Sequence, residues 1–204
     1  MRVGIFGGTF DPPHVGHQLA ASDAYEALAL DRVVFIPART QPLKDGSTQT
    51  PAADRLAMIR LMADGDSRFA VDPIEIDRPG LSFMVETLQE LQERRPGDER
   101  FLIVGDDVLE SFGRWRAPEV VLRLATLAVL RRPGTFSRRN DMPPAVSDLL
   151  RNAEQDGHAT AWLETRLVDV SSTEVRERTR TGLPLRGFVP DSVAAYIAAS
   201  RLYR

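Results

Sequence analysis

The chain contains no cysteine, which removes disulfide scaffolds, thiolate metal sites and a cysteine nucleophile. Only three histidines occur in 204 residues, and two of them, His14 and His17, stand three positions apart. Lysine is nearly missing: Lys44 is alone among 26 basic residues, the others being arginine. The formal net charge of −3 lacks the basic surplus that a nucleic-acid partner calls for. A polyanionic ligand would therefore need positive groups placed locally. Long apolar runs are scarce too. The most apolar stretch, VVLRLATLAVL, is interrupted by Arg123, which argues against a bilayer-spanning helix. The apolar start of the chain is short and runs into Asp11 and Pro12, unlike a signal peptide. The expectation is a cytoplasmic protein with neither membrane nor nucleic acid as partner.

Hydrophobic residues make up 43% of the chain, enough for a sizeable core at this length. Short β-rich runs recur at Val3–Phe6, Arg32–Pro37, Phe69–Ile76, Phe101–Gly105, Thr126–Leu130 and Leu167–Val170. Their nearly continuous apolar character is that of strands covered on both faces. Helical patterns lie between them at Gly16–Leu28, Ala52–Met62, Phe83–Arg94, Pro118–Leu124 and Val193–Leu202. The alternation predicts an α/β fold: a Rossmann-like, doubly wound, mostly parallel sheet with helices on both faces. The stretches 37–51 and 132–144 read as loops, rich in proline, glycine and charge.

Four motifs are expected at the carboxyl ends of strands, where doubly wound sheets bind ligands. The first, Gly7-Gly8-Thr9-Phe10-Asp11-Pro12-Pro13-His14-Val15-Gly16-His17, leaves the first strand and opens the first helix. Glycines permit close approach to the backbone. Two imidazoles one turn apart, beside the free N–H groups of a helix N-terminus, suit phosphate binding. The second is Val170-Ser171-Ser172-Thr173-Glu174-Val175-Arg176. Ser171 and Glu174 fit a capping box; Arg176 lies on the same face as Thr173 and adds a cation for a phosphate. The third is Gly105-Asp106-Asp107 with Trp115, a carboxylate for ribose hydroxyls and a ring for stacking. The fourth, Pro37–Lys44, carries Arg39 and Lys44. Read alone, each has a bland alternative: a glycine-proline turn with surface histidines, a helix cap, a core tryptophan, a solvated basic loop.

Together these residues resemble the nicotinate-nucleotide adenylyltransferases of the HxGH nucleotidylyltransferase superfamily. The GGTFDPxHxGH string matches in full. The proline-lysine loop, GxD with Trp115, Arg132-Pro133-Gly134 and SSTxxR follow in family order. The resemblance implies one nucleotidylyltransferase domain over residues 1–204, with a small helical part from about residue 171. It implies transfer of the AMP part of ATP to nicotinate mononucleotide, giving nicotinate adenine dinucleotide and pyrophosphate in NAD biosynthesis. His14, His17, Lys44 and Arg176 would contact the reacting phosphates. Gly7, Gly8, Thr9, Phe10, Gly105, Asp107, Ser172 and Thr173 would line the nucleotide site. Phe83, Met84, Trp115 and Arg132 would face the acceptor. Mg²⁺ would arrive with ATP, with no protein metal site assigned. One segment departs from the family's Tyr-Thr-x-Asp-Thr: here it is Phe83-Met84-Val85-Glu86-Thr87, and Met84 lacks a hydroxyl expected near the nicotinate carboxylate. The alternatives are transfer to another phosphate acceptor, such as phosphopantetheine or glycerol phosphate, and a catalytically silent nucleotide sensor. Whether copies of the chain associate stays open at this point.

Overall fold

A computed structural model describes residues 1–43, 50–131, 142–166 and 168–204. Among them, β1 (Arg2–Gly8) leads to α1 (Val15–Ala27), β2 (Arg32–Pro37), α2 (Ala52–Ala63) and β3 (Phe69–Val71). Two helices follow, the short α3 (Ile74–Asp77) and α4 (Met84–Arg94). Then come β4 (Glu99–Gly105), α5 (Leu109–Phe112), α6 (Pro118–Leu124) and β5 (Thr126–Arg131). The chain closes with α7 (Pro144–Gln155), β6 (Thr160–Glu164), α8 (Ser172–Arg180) and α9 (Asp191–Ala199). No helix among the described residues is long and apolar enough to cross a membrane.

The six strands form one sheet in the order β3-β2-β1-β4-β5-β6, and every pairing is parallel. The expected doubly wound sheet is therefore present and, over the described residues, wholly parallel. Alternation along β4 shows how it is covered. Phe101 and Ile103 point into a cluster with Ala21 and Ala24 of α1, Met58 and Ile59 of α2, and Val193 and Ile197 of α9. Leu102 and Val104 point the other way, onto Leu88 of α4, Phe112 of α5, Val121 of α6 and Leu150 of α7. Period-two side-chain direction thus builds two cores from one strand.

Two strand expectations need correction. The run Phe69–Ile76 is a strand only to Val71; Ile74–Asp77 is helical. Pro73 removes a ladder donor, and Asp72 Oδ1 accepts the Ile74 N–H at 3.0 Å, turning the chain into α3. The sixth strand is Thr160–Glu164, not Leu167–Val170; residues 168–170 have no regular structure and Leu167 lies outside the described residues. The pattern reading also passed over α7, whose first residue, Pro144, falls in the expected loop. Within the two expected loops, 44–49 and 132–141 lie outside the described residues.

Candidate active site

The order β3-β2-β1-β4 reverses direction of winding between β1 and β4, so the loops leaving their carboxyl ends diverge and open a crevice. A cavity of about 620 Å³ lies there, within the range of small-molecule sites. One wall is the first motif: Gly7, Gly8, Thr9, His14 and His17 all line the cavity.

The local geometry of the histidine pair differs from two residues on one helical turn. His14 is the N-cap of α1, with extended backbone, and His17 is the third helical residue. Their rings lie 3.8 Å apart between centroids. The His14 backbone N–H donates to His17 Nδ1 at 3.2 Å. That bond requires a lone pair on Nδ1, so the proton of the neutral His17 ring sits on Nε2. Phe10 packs edge-on against His17 at 5.0 Å and is 2% exposed. It is not among the lining residues, and its ring forms a floor for His17. Gly16 also lines the cavity, and a Cβ on it would come within 2.9 Å of the His14 ring, so this glycine makes room for an imidazole.

The second motif reaches the same place by a different route from the one expected. It follows β6 through residues 165–171 instead of a strand of its own. Ser171 Oγ accepts the Glu174 N–H at 3.1 Å, capping α8. Ser172 lines the cavity, and its hydroxyl donates to the Pro12 carbonyl at 2.8 Å. Arg176 donates to the Asp11 carbonyl at 2.7 Å and to Thr173 Oγ at 3.1 Å. Arg176 and Thr173 thus clamp α8 onto the first motif and stand behind the cavity lining.

The opposite wall comes from β4 and the elements after it. Gly105 and Asp107 line the cavity; Asp107 is exposed and Asp106 turns inward. Trp115 leans on Phe112 at 5.2 Å. Phe83 and Met84 form the N-terminus of α4, with Phe83 as N-cap. Met84 reaches across to β1: a Cβ on Gly7 would lie 2.6 Å from its methyl carbon. Arg116 stacks over Phe83 at 4.7 Å and pairs with Glu86 at 2.6 Å. Lys44 and Arg132 lie outside the described residues.

The comparisons with known proteins agree with this geometry. A family model described as cytidylyltransferase-like matches residues 5–178. The chain is 50% identical over 205 residues to "Probable nicotinate-nucleotide adenylyltransferase" of Gemmatimonas aurantiaca, covering 100% of this chain and 93% of that protein. A protein of the same name from Herpetosiphon aurantiacus is 41% identical over 202 residues, covering 99% and 98%. The chain belongs to the nicotinate-nucleotide adenylyltransferase family. The fold agrees with a solved adenylyltransferase as well. Plasmodium falciparum nicotinic acid mononucleotide adenylyltransferase complexed with NaAD superposes with a TM-score of 0.77 at 14% identity, covering 99% of this chain and 97% of that chain.

Several residues that frame this adenylyltransferase site were not singled out from sequence. Arg55 of α2 is 1% exposed and donates to the Thr9, Arg39 and Thr50 carbonyls at 2.7, 3.0 and 3.2 Å. Burial pushes its pKa down, while Asp11 and Tyr203 oppose the shift. Tyr203 donates to Asp11 Oδ1 at 2.6 Å, and burial raises its phenol well above the ordinary value. Glu75 and Ser82 line the acceptor end, and Arg166, paired with Asp23 at 2.7 Å, lines the cavity near α8. Arg55 carried one readable signal, an arginine placed between apolar residues on a buried helical stripe.

Proposed function

We infer that the chain transfers the adenylyl group of ATP to nicotinate mononucleotide, forming nicotinate adenine dinucleotide and pyrophosphate. The observation that carries this reading is the His14–His17 pair at the N-terminus of α1, facing Trp115 across a cavity at the β1–β4 crevice. One end offers imidazoles and the positive end of a helix to phosphates. The other offers an aromatic face and the first turn of α4, whose unbonded N–H groups suit the pyridine carboxylate.

An acceptor phosphate is already anionic at neutral pH, so no general base is needed. Its oxygen forms the bond to the α-phosphorus of ATP. The bond from that phosphorus to the bridging oxygen breaks, and pyrophosphate leaves with the electron pair. The protein's contribution is alignment and charge stabilisation. His17 fits that role: with Nδ1 accepting the His14 N–H, the ring carries its proton on Nε2, the donor proposed for a phosphate oxygen. Ser172 and Arg176 hold the loop that carries these groups. Lys44 is proposed as a further contact to the shifting charge. At the phosphate end, the described side chains are imidazole, hydroxyl and guanidinium, donors to phosphate more than a carboxylate cage. That set suits a Mg²⁺ ion carried in by ATP and bound through phosphate and water.

The test is an acceptor panel with ATP and Mg²⁺, followed by pyrophosphate release. Nicotinate mononucleotide is expected to give the highest kcat/KM. Higher values with phosphopantetheine or glycerol phosphate would overturn the acceptor; ATP binding without pyrophosphate release would point to a sensor.

A further inference from the structure

Beneath the acceptor end sits a buried carboxyl group that the mechanism does not use. Glu75 of α3 is 3% exposed, yet it borders the cavity next to Ser82, Phe83 and Met84. One hydroxyl bonds it and a second helps hold its pKa down. Thr87 Oγ donates to Glu75 Oε1 at 2.7 Å, and the Ser82 hydroxyl works against the effect of burial on the same carboxyl. Each hydroxyl is also held from outside. Arg78 Nη2 donates to Thr87 Oγ at 2.9 Å, and the Arg39 backbone N–H donates to Ser82 Oγ at 2.9 Å. The Thr87 hydroxyl accepts from Arg78 and keeps its own proton to give; Glu75 Oε1 at 2.7 Å is the nearer acceptor and the Phe83 carbonyl at 3.4 Å the farther.

Ser82 and Thr87 bracket the N-cap and first turn of α4, including Phe83 and Met84. Burying a carboxyl costs stability unless it is well bonded, and an apolar residue would pack α3 without that cost. What Glu75 adds is an acceptor that fixes the first turn of α4 through Thr87. From this we propose that Glu75 is a positioning residue for the acceptor: acting through Thr87, it sets the aim of the first-turn N–H groups of α4 and so governs acceptor affinity, not ATP affinity. This rests on the acceptor assignment above.

The experiment compares wild type, Glu75→Gln, Thr87→Val and the double variant in steady-state assays with ATP, Mg²⁺ and nicotinate mononucleotide. Thermal unfolding is recorded alongside. Glu75→Gln keeps the size of the side chain but presents an amide N–H₂ to a hydroxyl that must donate. The expected result is a KM for nicotinate mononucleotide raised about 10-fold, with the KM for ATP within about 2-fold of wild type. The double variant is expected to lose no more than the larger single effect, because the two groups act as one unit. Equal changes in both KM values, an unchanged acceptor KM, or fully additive losses would each overturn the proposal. A wild-type chain that ignores nicotinate mononucleotide would remove the acceptor assignment and this inference together. A wild type that uses it, beside an unaffected Glu75→Gln, removes the inference alone. If Glu75→Gln yields no folded protein, Thr87→Val, which breaks the same bond from the other partner, carries the same expected split in KM values and the same overturning results.

Discussion

The loop after β1 rests on a buried cation, Arg55, whereas the turn into α4 rests on a buried carboxyl, Glu75. The contrast follows from what each loop shows to the cavity. A backbone that turns its N–H groups toward phosphates turns carbonyls away from them. Thr9, Arg39 and Thr50 present such carbonyls inward, and one guanidinium with its fork of donors satisfies all three. The α4 turn is held instead through the hydroxyl of Thr87, which needs an acceptor, and Glu75 supplies it. The sign of the buried charge is thus set by the groups the loop leaves behind, not by the charge of the ligand in front.

The sharpest way to break this contrast is Arg55→Met. It keeps much of the side-chain volume but leaves buried carbonyls unpaired, at about 1–3 kcal/mol each. Expected is a loss of roughly 3–5 kcal/mol in stability, visible as a Tm lower by on the order of 10 °C. A Tm within a degree or two of wild type would show that water replaces the guanidinium. Next comes His17→Ala, which touches the chemistry without touching the floor. Removing one preorganised donor to developing charge costs about 10²–10³ in kcat, with circular dichroism unchanged. Near-normal pyrophosphate release from the folded variant would reduce His17 to a packing role.

Met84→Thr tests the wall where the two loops meet. Met84 lies over Gly7, so the shorter side chain opens space there and returns a hydroxyl near the pyridine carboxylate. An ionised acceptor makes the stronger hydrogen bond. The ratio of kcat/KM for nicotinate over nicotinamide mononucleotide should rise several-fold, about 1 kcal/mol. A flat or falling ratio would leave the reading of the carboxylate to backbone N–H groups alone. The smallest effect is a pH trend in stability. Burial raises the Glu75 pKa, and so does Glu86; Thr87, Ser82 and Arg78 oppose the shift. A carboxyl with a raised folded-state pKa favours the fold while protonated, and that contribution is lost as pH rises through the folded value. The stability of Glu75→Gln relative to wild type should therefore grow from acid to alkaline pH. A difference that stays constant would mean that Glu75 titrates as it does in the unfolded chain.

Much of this was legible in the sequence where one residue type permits few structures. The run from Gly7 to His17 named its own strand–helix junction, and Ser171 with Glu174 named the cap of α8. Where short apolar runs leave strand and helix equally open, the reading strayed. Residues 69–76 look like one strand, and only the Asp72–Pro73 turn divides them. Residues 160–164 are an edge strand, half-covered and thus weakly apolar, while residues 168–170 of the similar run 167–170 lie outside the sheet. The histidines that line the cavity were visible, but of the polar groups beneath the site only Arg55 carried a local signal. Arg55, Glu75 and Tyr203 act through partners 5 to 192 positions away, and nothing local marks such pairings. Phe10 was misplaced for a related reason: its motif pointed to the ligand, whereas its ring faces the core.

The bond from Tyr203 to Asp11 spans 192 positions, and that from Arg176 to Asp11 spans 165. Such contacts cannot form until nearly all of the chain has left the ribosome. Distant pairings also close late and slowly, because the intervening loop must be ordered before any bond rewards it. The first motif, although made first, waits for the last two helices to fix its turn. A nascent chain that already carries His14 and His17 would thus hold the first motif unbraced, and competence for adenylyl transfer should switch on only once Arg176 and Tyr203 have emerged instead of accumulating along the way.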